Sequence, residues 1–212
     1  MSILWIIVCA SDVRVGAPRV DERGSFVTLV LMTSSNALGF TQILDPDEIT
    51  DELKQTLVDC WTEVSNAGGA AGFPFPPVDA AEVTAAFDRI IENLAPPTSR
   101  LLIALTDDTV AGWLNIRRDP HPPVSHWGTI HHVQTRLGVR GQGIGTALMR
   151  RVREVARDEM GLEQLHLAAR GGVGLEEFYG RLGWKEIGRW PGALRLATDG
   201  DRDEVLMILS PL

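Results

Sequence analysis

Cysteine is close to absent, with Cys9 and Cys60 alone among 212 residues. Two thiols give no disulfide framework, and the five histidines have no cysteine partners at metal-ligand spacing, so no metal site is expected. A reducing cytoplasm is the compartment this usage fits. The apolar run Ile3 to Ala10 is too short to cross a bilayer and has no basic leader, so it reads as a strand and no membrane partner is expected. Positive charge is missing from the first half: residues 1–100 hold 14 Asp/Glu against 6 Lys/Arg, while residues 101–212 hold 14 of each. A chain of net charge −8 with all its excess on one half has little with which to neutralise phosphates, which argues against a nucleic-acid partner. Tyrosine occurs once, as Tyr179.

What is present suffices for one substantial core, since 44% of the residues are apolar and no composition shift marks a linker. Asp21-Glu22-Arg23-Gly24 reads as a turn and Ser25 to Thr33 as a strand. From Pro46 to Asn66, Ile49, Leu53, Leu57 and Trp61 recur every four residues, the face of a helix with Asp45 as its N-cap. Three prolines between Ala70 and Pro77 make a loop that carries Phe73 and Phe75. A second helix is expected over Asp79 to Asn93, stopped by Pro96-Pro97. Leu101–Thr106 and Val110–Arg117 form a hairpin across Asp107-Asp108-Thr109, and Thr129–Arg136 is the next strand. A helix over Gly143 to Met160, a strand over Leu162–Ala169, a short helix over Leu175–Leu182 and strands at Gly183–Trp190 and Glu204–Leu209 complete an α+β fold with a mixed sheet.

The chain is organised around Val139-Arg140-Gly141-Gln142-Gly143-Ile144-Gly145-Thr146, between a strand and an amphipathic helix. Glycines at alternate positions permit a tight turn, and the helix that follows points unpaired amides at an arriving anion, so a phosphorylated ligand is expected. A P-loop would need lysine before Thr146, and a dinucleotide fingerprint would need glycine at that position. Arg-x-x-Gly-x-Gly fits instead, and it resembles the pyrophosphate-binding motif of the GNAT superfamily of acyl-CoA-dependent N-acetyltransferases. A second signature follows at the family's order and distance: Phe178-Tyr179-Gly180-Arg181-Leu182-Gly183-Trp184. The resemblance covers residues 100–190 well and the first hundred only by helix pattern.

The resemblance implies a mostly antiparallel sheet with helices on both faces, splayed into a V that binds acetyl-CoA as co-substrate. It divides the chain into an N-terminal extension, 1–24, and a single acetyltransferase domain, 25–212. It implies that Arg140, Gly141, Gln142, Gly143, Ile144, Gly145 and Thr146 hold the pyrophosphate. The backbone of Val133, Gln134 and Thr135 would bind pantetheine and polarise the thioester, an effect of about 3–4 kcal/mol per buried amide donor. Tyr179 would protonate the departing thiolate. Family members often use a Glu or His on the strand before the loop as general base, directly or through water; His131 takes that role here, with Glu176 or Glu177 as substitutes. Adjacent strand residues point to opposite faces, which places His131 with Val133 and Thr135 and leaves His132 on the other side. One departure is Gly172, which stands where the family often has an asparagine that holds CoA.

For the acceptor, residues 45–63 carry a net charge of −6, an acidic entrance that would draw in cationic amines. Phe73, Phe75, Trp113 and Trp127 would supply an apolar wall. The helix, Gly-rich Phe loop and second helix are similar to the toxin- and antibiotic-resistance branch, including tabtoxin-resistance acetyltransferases. Acetylation of a primary amine on a small cationic metabolite, antibiotic or toxin leads. A protein lysine or N-terminal acetyltransferase and a non-catalytic CoA-sensing module stand as alternatives. A homodimer is allowed by the sequence. Eighteen arginines to two lysines fit a GC-rich bacterial gene.

Overall fold

The computed structural model describes residues 38–69, 72–73, 76–195 and 200–212, together with the strand pairs β1 (Arg19–Val20) and β2 (Phe26–Val27). The chain divides into Met1–Asn36 and Ala37–Leu212. In the first unit β1 and β2 pair antiparallel. Of the strand expected over Ser25 to Thr33, only Phe26–Val27 falls within the described residues. The Ile3–Ala10 run and the Asp21–Gly24 turn lie outside them.

The second unit is a seven-stranded sheet, and its first strand, β3 (Leu38–Ile43), has no counterpart in the expected order. Chain direction turns at Asp45. Its carboxylate accepts the amide of Asp47 while the Glu48 carboxylate takes the amide of Asp45, a reciprocal cap on a single 3₁₀ turn. Helix α1 (Asp51–Asn66) then starts separately, capped by the Thr50 hydroxyl on the amide of Leu53, and buries Leu57, Val58, Cys60, Trp61 and Val64. Helix α2 (Ala80–Glu92) is capped by Asp79 and buries Val83 and Phe87.

Strands β4 (Ser99–Thr106) and β5 (Thr109–Arg118) form the expected hairpin, with Asp107 and Asp108 at φ 48° and 59° as its two-residue corner. Both residues sit in the left-handed region, which an aspartate tolerates and glycine adopts freely. Asp108→Gly is therefore expected to raise unfolding stability by about 0.5–1 kcal/mol in a urea titration.

Strand β6 (Trp127–Thr135) leads to α3 (Ile144–Glu154), followed by β7 (Gln164–Arg170), α4 (Leu175–Gly180), β8 (Lys185–Arg195) and β9 (Asp201–Leu209). The spatial order is β3-β4-β5-β6-β7-β9-β8, antiparallel throughout except at β6–β7. Alternation along β4 sends Leu101 and Ile103 into a core with α1 and α2, and Leu102 and Ala104 into a second core with α3 and Tyr179. Helices therefore cover both faces. Gly112 of β5 permits the close approach of β6, because a Cβ there would stand 2.5 Å from the carbonyl oxygen of Gln134.

At its C-terminal end α3 widens into a π-turn over Val155–Glu159, with the amide of Leu162 reaching back to the carbonyl of Ala156. This turn swings Glu159 under the sheet edge, where it accepts from Gln42 of β3, Arg100 of β4 and Arg151 of α3. Among the described residues no helix is long and apolar enough to cross a membrane.

Candidate active site

Strands β6 and β7 pair in parallel only over Trp127–Gln164, Gly128–Leu165 and Thr129–His166. Beyond Thr129 they separate, and the edge of β6 that faces β7 loses its ladder. Trp127 stacks on His166 at the closed end, with ring centroids 4.4 Å apart. Ile130 to Thr135 then run along an open V, the stretch that contains Val133, Gln134 and Thr135.

The glycine loop closes the wide end of this V. Arg140 sends its Nε toward the carbonyl of Thr135, and Gly141 and Gly143 adopt φ of 78° and 84°. Gly143 is the N-cap of α3 and supplies no side-chain cap, so the first amides of that helix have no partner from the cap residue. The arrangement presents a cluster of N–H donors at the positive end of a helix dipole, which suits an anion. Helix α4 reaches the same corner: the Phe178 ring edge and the Thr135 hydroxyl each lie 3.5 Å from where a Cβ of Gly145 would be. Loop, β6 and α4 thus converge as the two motifs imply.

Tyr179 follows Phe178 and is buried at 6% exposure, its ring edge-on to Phe178 at 5.0 Å and to Trp184 at 6.0 Å. Its backbone carbonyl accepts the amides of Leu182 and Trp184, which fixes the turn that ends α4. Burial pushes the phenol up to about 12, so it remains protonated across the working range.

The two histidines do not alternate as expected. Trp113 pairs with Gln134 and Asn115 with His131, so the single residue Leu114 opposes both His132 and Val133. This is a β-bulge, and His132 takes the strain with φ of 55°. The extra residue resets the pleat. His131 and His132 line one cavity, their rings 6.0 Å apart, whereas Val133 packs into the opposite core with α3 and Thr135 turns toward Gly145. His132 also leans on Trp61, at 4.6 Å. Burial, followed by the charge of Arg117, lowers the pKa of His131 below its usual value. Burial, the neighbouring His131 and Arg117 bring His132 down to about 4.

The cavity measures about 210 Å³ and lies between α2 and the sheet. Ala86, Arg89 and Ile90 of α2 with its C-cap Asn93 form one wall, Ser99, Asn115 and Arg117 form the floor and rim, and the histidines form the side next to the V. Asn115 is buried at the centre of an apolar strand and donates to Ser99 Oγ at 3.2 Å and to the carbonyl of Arg100 at 3.1 Å. A lone amide in the run Trp113-Leu114-Asn115-Ile116 is a sequence signal for this floor; Arg89 and Arg117 have none.

The expected apolar wall is differently placed. Trp113 is fully buried between Trp61 and Phe87, Phe73 packs on Trp61 at 5.1 Å, and Trp127 belongs to the closed end of the V; none of them lines the cavity. Phe75 lies outside the described residues. The acidic residues of 45–63 do not line it either: Asp45 and Glu48 cap a turn, and Asp59 accepts from Gln55. Glu176 accepts the amide of Gly172 and so serves as a loop clasp, while Glu177 is exposed. On the arginine-rich face of α3, Arg151 pairs with Glu154 and Glu159, Arg157 with Asp158, and Arg153 donates to the carbonyl of Pro211.

The sequence profile of the Acetyltransferase (GNAT) family matches residues 50–184, which spans both motifs and the V. The chain belongs to the GNAT acetyltransferase family. Solved structures of the same fold include a GCN5-related N-acetyltransferase from Kribbella flavida, 22% identical with a TM-score of 0.65 over 83% of this chain and 98% of that one. A GNAT-family acetyltransferase from Streptococcus pneumoniae is 17% identical, with a TM-score of 0.62 over 83% and 100%. The ribosomal-protein-S18-alanine N-acetyltransferase from Escherichia coli is 14% identical, with a TM-score of 0.61 over 82% and 94%. A search of curated proteins returned no match. GNAT enzymes use acetyl-CoA as co-substrate, and the open edge of β6 with the uncapped start of α3 fits that molecule's amide-bearing arm and its diphosphate.

Proposed function

We propose that this GNAT enzyme transfers an acetyl group from acetyl-CoA to the primary amine of a small molecule, of the metabolite, antibiotic or toxin kind, in a bacterial cytoplasm. The observation that carries this reading is the end of β6–β7 pairing at Thr129, which opens a slot between a phosphate-binding corner and an amine-sized cavity. Residues 140–146 hold the diphosphate, and main-chain amides among Val133, Gln134 and Thr135 align and polarise the thioester. His131 accepts the amine's proton; its lowered pKa keeps the ring neutral at pH 7 and ready to do so. His132, at about 4, is the weaker base of the two. Tyr179 donates its proton to the leaving sulfur. A cavity of about 210 Å³ favours a small acceptor over a peptide chain.

Titration calorimetry with acetyl-CoA tests the core of this reading. The wild-type chain is expected to bind, and Gly143→Val, which puts a β-branched residue at φ 84°, is expected to weaken binding at least tenfold. No heat from well-folded wild-type protein sinks the proposal. His131→Gln is expected to lower kcat by about a hundredfold and to remove the acidic limb of the pH–rate profile. Persistence of that limb in the variant would assign the base elsewhere.

A further inference from the structure

The cavity beside the histidines carries two guanidinium groups, Arg89 and Arg117, and no carboxylate. Neither arginine has an ion pair or side-chain hydrogen bond among the described residues, although Arg100, Arg151, Arg157, Arg189 and Arg195 all do. Arg150, Arg181 and Arg202 are likewise exposed and without a side-chain partner among the described residues; what sets Arg89 and Arg117 apart is that both border one small cavity. Two residues before Arg117 on β5 the cavity lining is neutral. Asn115 spends both Nδ2 hydrogens on Ser99 and the carbonyl of Arg100, which orients its amide and leaves Oδ1 to accept from a ligand. His131 stands on the same side, opposite Asn115 in the sheet register.

We infer that the acceptor is an amine whose far end bears an anionic group, a carboxylate or phosphonate, held by Arg89 and Arg117 while the nitrogen faces Asn115 and His131. This rests on the acetyltransferase reading for what happens to the amine, but the binding pattern stands on the cavity alone. Guanidinium forks match planar carboxylate and tetrahedral phosphonate oxygens bidentately, and Ala86 and Ile90 give the connecting carbons an apolar side wall. Acidic residues at 45–63 then favour solubility and helix capping rather than substrate capture, and a diamine is expected to bind more weakly than an amine with an anionic end.

The test uses the full chain, acetyl-CoA, and matched probes: 3-aminopropanoate, 4-aminobutanoate, L-methionine and 2-aminoethylphosphonate, each against its neutral amide or diester, with 1,4-diaminobutane as the cationic arm. Thiol release with product mass reads turnover, and calorimetry without acetyl-CoA reads binding. At least one anionic probe is expected to exceed its neutral partner tenfold or more in kcat/KM. Arg89→Gln and Arg117→Gln are each expected to cut that ratio at least tenfold through KM, with Arg117→Lys restoring part of it. Arginine-dependent binding of an anionic probe without thiol release supports the anion-binding role of Arg89 and Arg117 while removing the acetyl-transfer step. Turnover of neutral or cationic probes at equal or higher efficiency overturns the inference and keeps the enzyme. Absence of binding and turnover by every anionic probe overturns it as well.

Discussion

Replacing Tyr179 with phenylalanine is expected to lower kcat by about ten- to a thousandfold, or roughly 1.4–4 kcal/mol of barrier, with acetyl-CoA affinity nearly intact. The ring's contacts with Phe178 and Trp184 survive the change, and the hydroxyl has no hydrogen bond among the described residues, so folding is expected to be little affected. A phenol raised to about 12 is a weak acid for an ordinary thiolate. A sulfur leaving beside so deeply buried a phenol would, however, depart in a similarly dry place. Burial lifts the Cys60 thiol of this same protein from 9.0 to about 12, so a desolvated thiolate is basic enough to take the proton. Steady-state kinetics paired with calorimetry checks the assignment; an unchanged kcat removes it. Because the phenol stays protonated, no basic limb from Tyr179 is expected below about pH 10.

Acidification from pH 6.5 to 4 is expected to cost about 3 kcal/mol of stability through His132 alone. Its folded pKa of about 4 lies below the unfolded value of 6.5, so across this window the unfolded chain binds the extra proton. Stability therefore rises with pH through the window and is complete above 6.5. His131 is shifted in the same direction and adds to the slope. Asparagine tolerates the left-handed backbone of position 132, so His132→Asn isolates the effect. Urea unfolding at pH 4, 5, 6 and 7 is expected to show a flatter dependence in the variant; parallel curves for the two proteins would contradict the burial argument.

Local patterns made most of the elements legible. The four-residue apolar spacing marked α1, Asp79 marked the start of α2, and the Arg140–Gly145 and Phe178–Trp184 motifs marked the corner where loop, β6 and α4 meet. The parts that escaped depend on relations between distant residues or on backbone geometry. Strand β3 is only partly buried, so its alternation is weak. Thr50 and not Asp45 caps α1, because the capping box at Asp45–Glu48 serves a separate turn. The bulge at His132 has no residue signature, since it arises from a count mismatch between β5 and β6. Strict alternation separated two histidines that share a cavity. Arg89 and Arg117 come from different elements, and only the packing of α2 on the sheet brings them to that cavity.

The widened turn at the end of α3 ties chain length to electrostatics. One residue fewer between Val155 and Glu159 would rotate Glu159 by roughly 100° about the helix and carry its carboxylate away from Arg100. Arg100 is buried while Glu159 is partly exposed, and Arg100 keeps Gln42 Oε1 and the carbonyl of Pro96, so losing the carboxylate is expected to cost about 1.5–3 kcal/mol. A deletion here and the replacement of that arginine are thus energetically coupled, so the pair is expected to cost less stability than the sum of the two changes made singly.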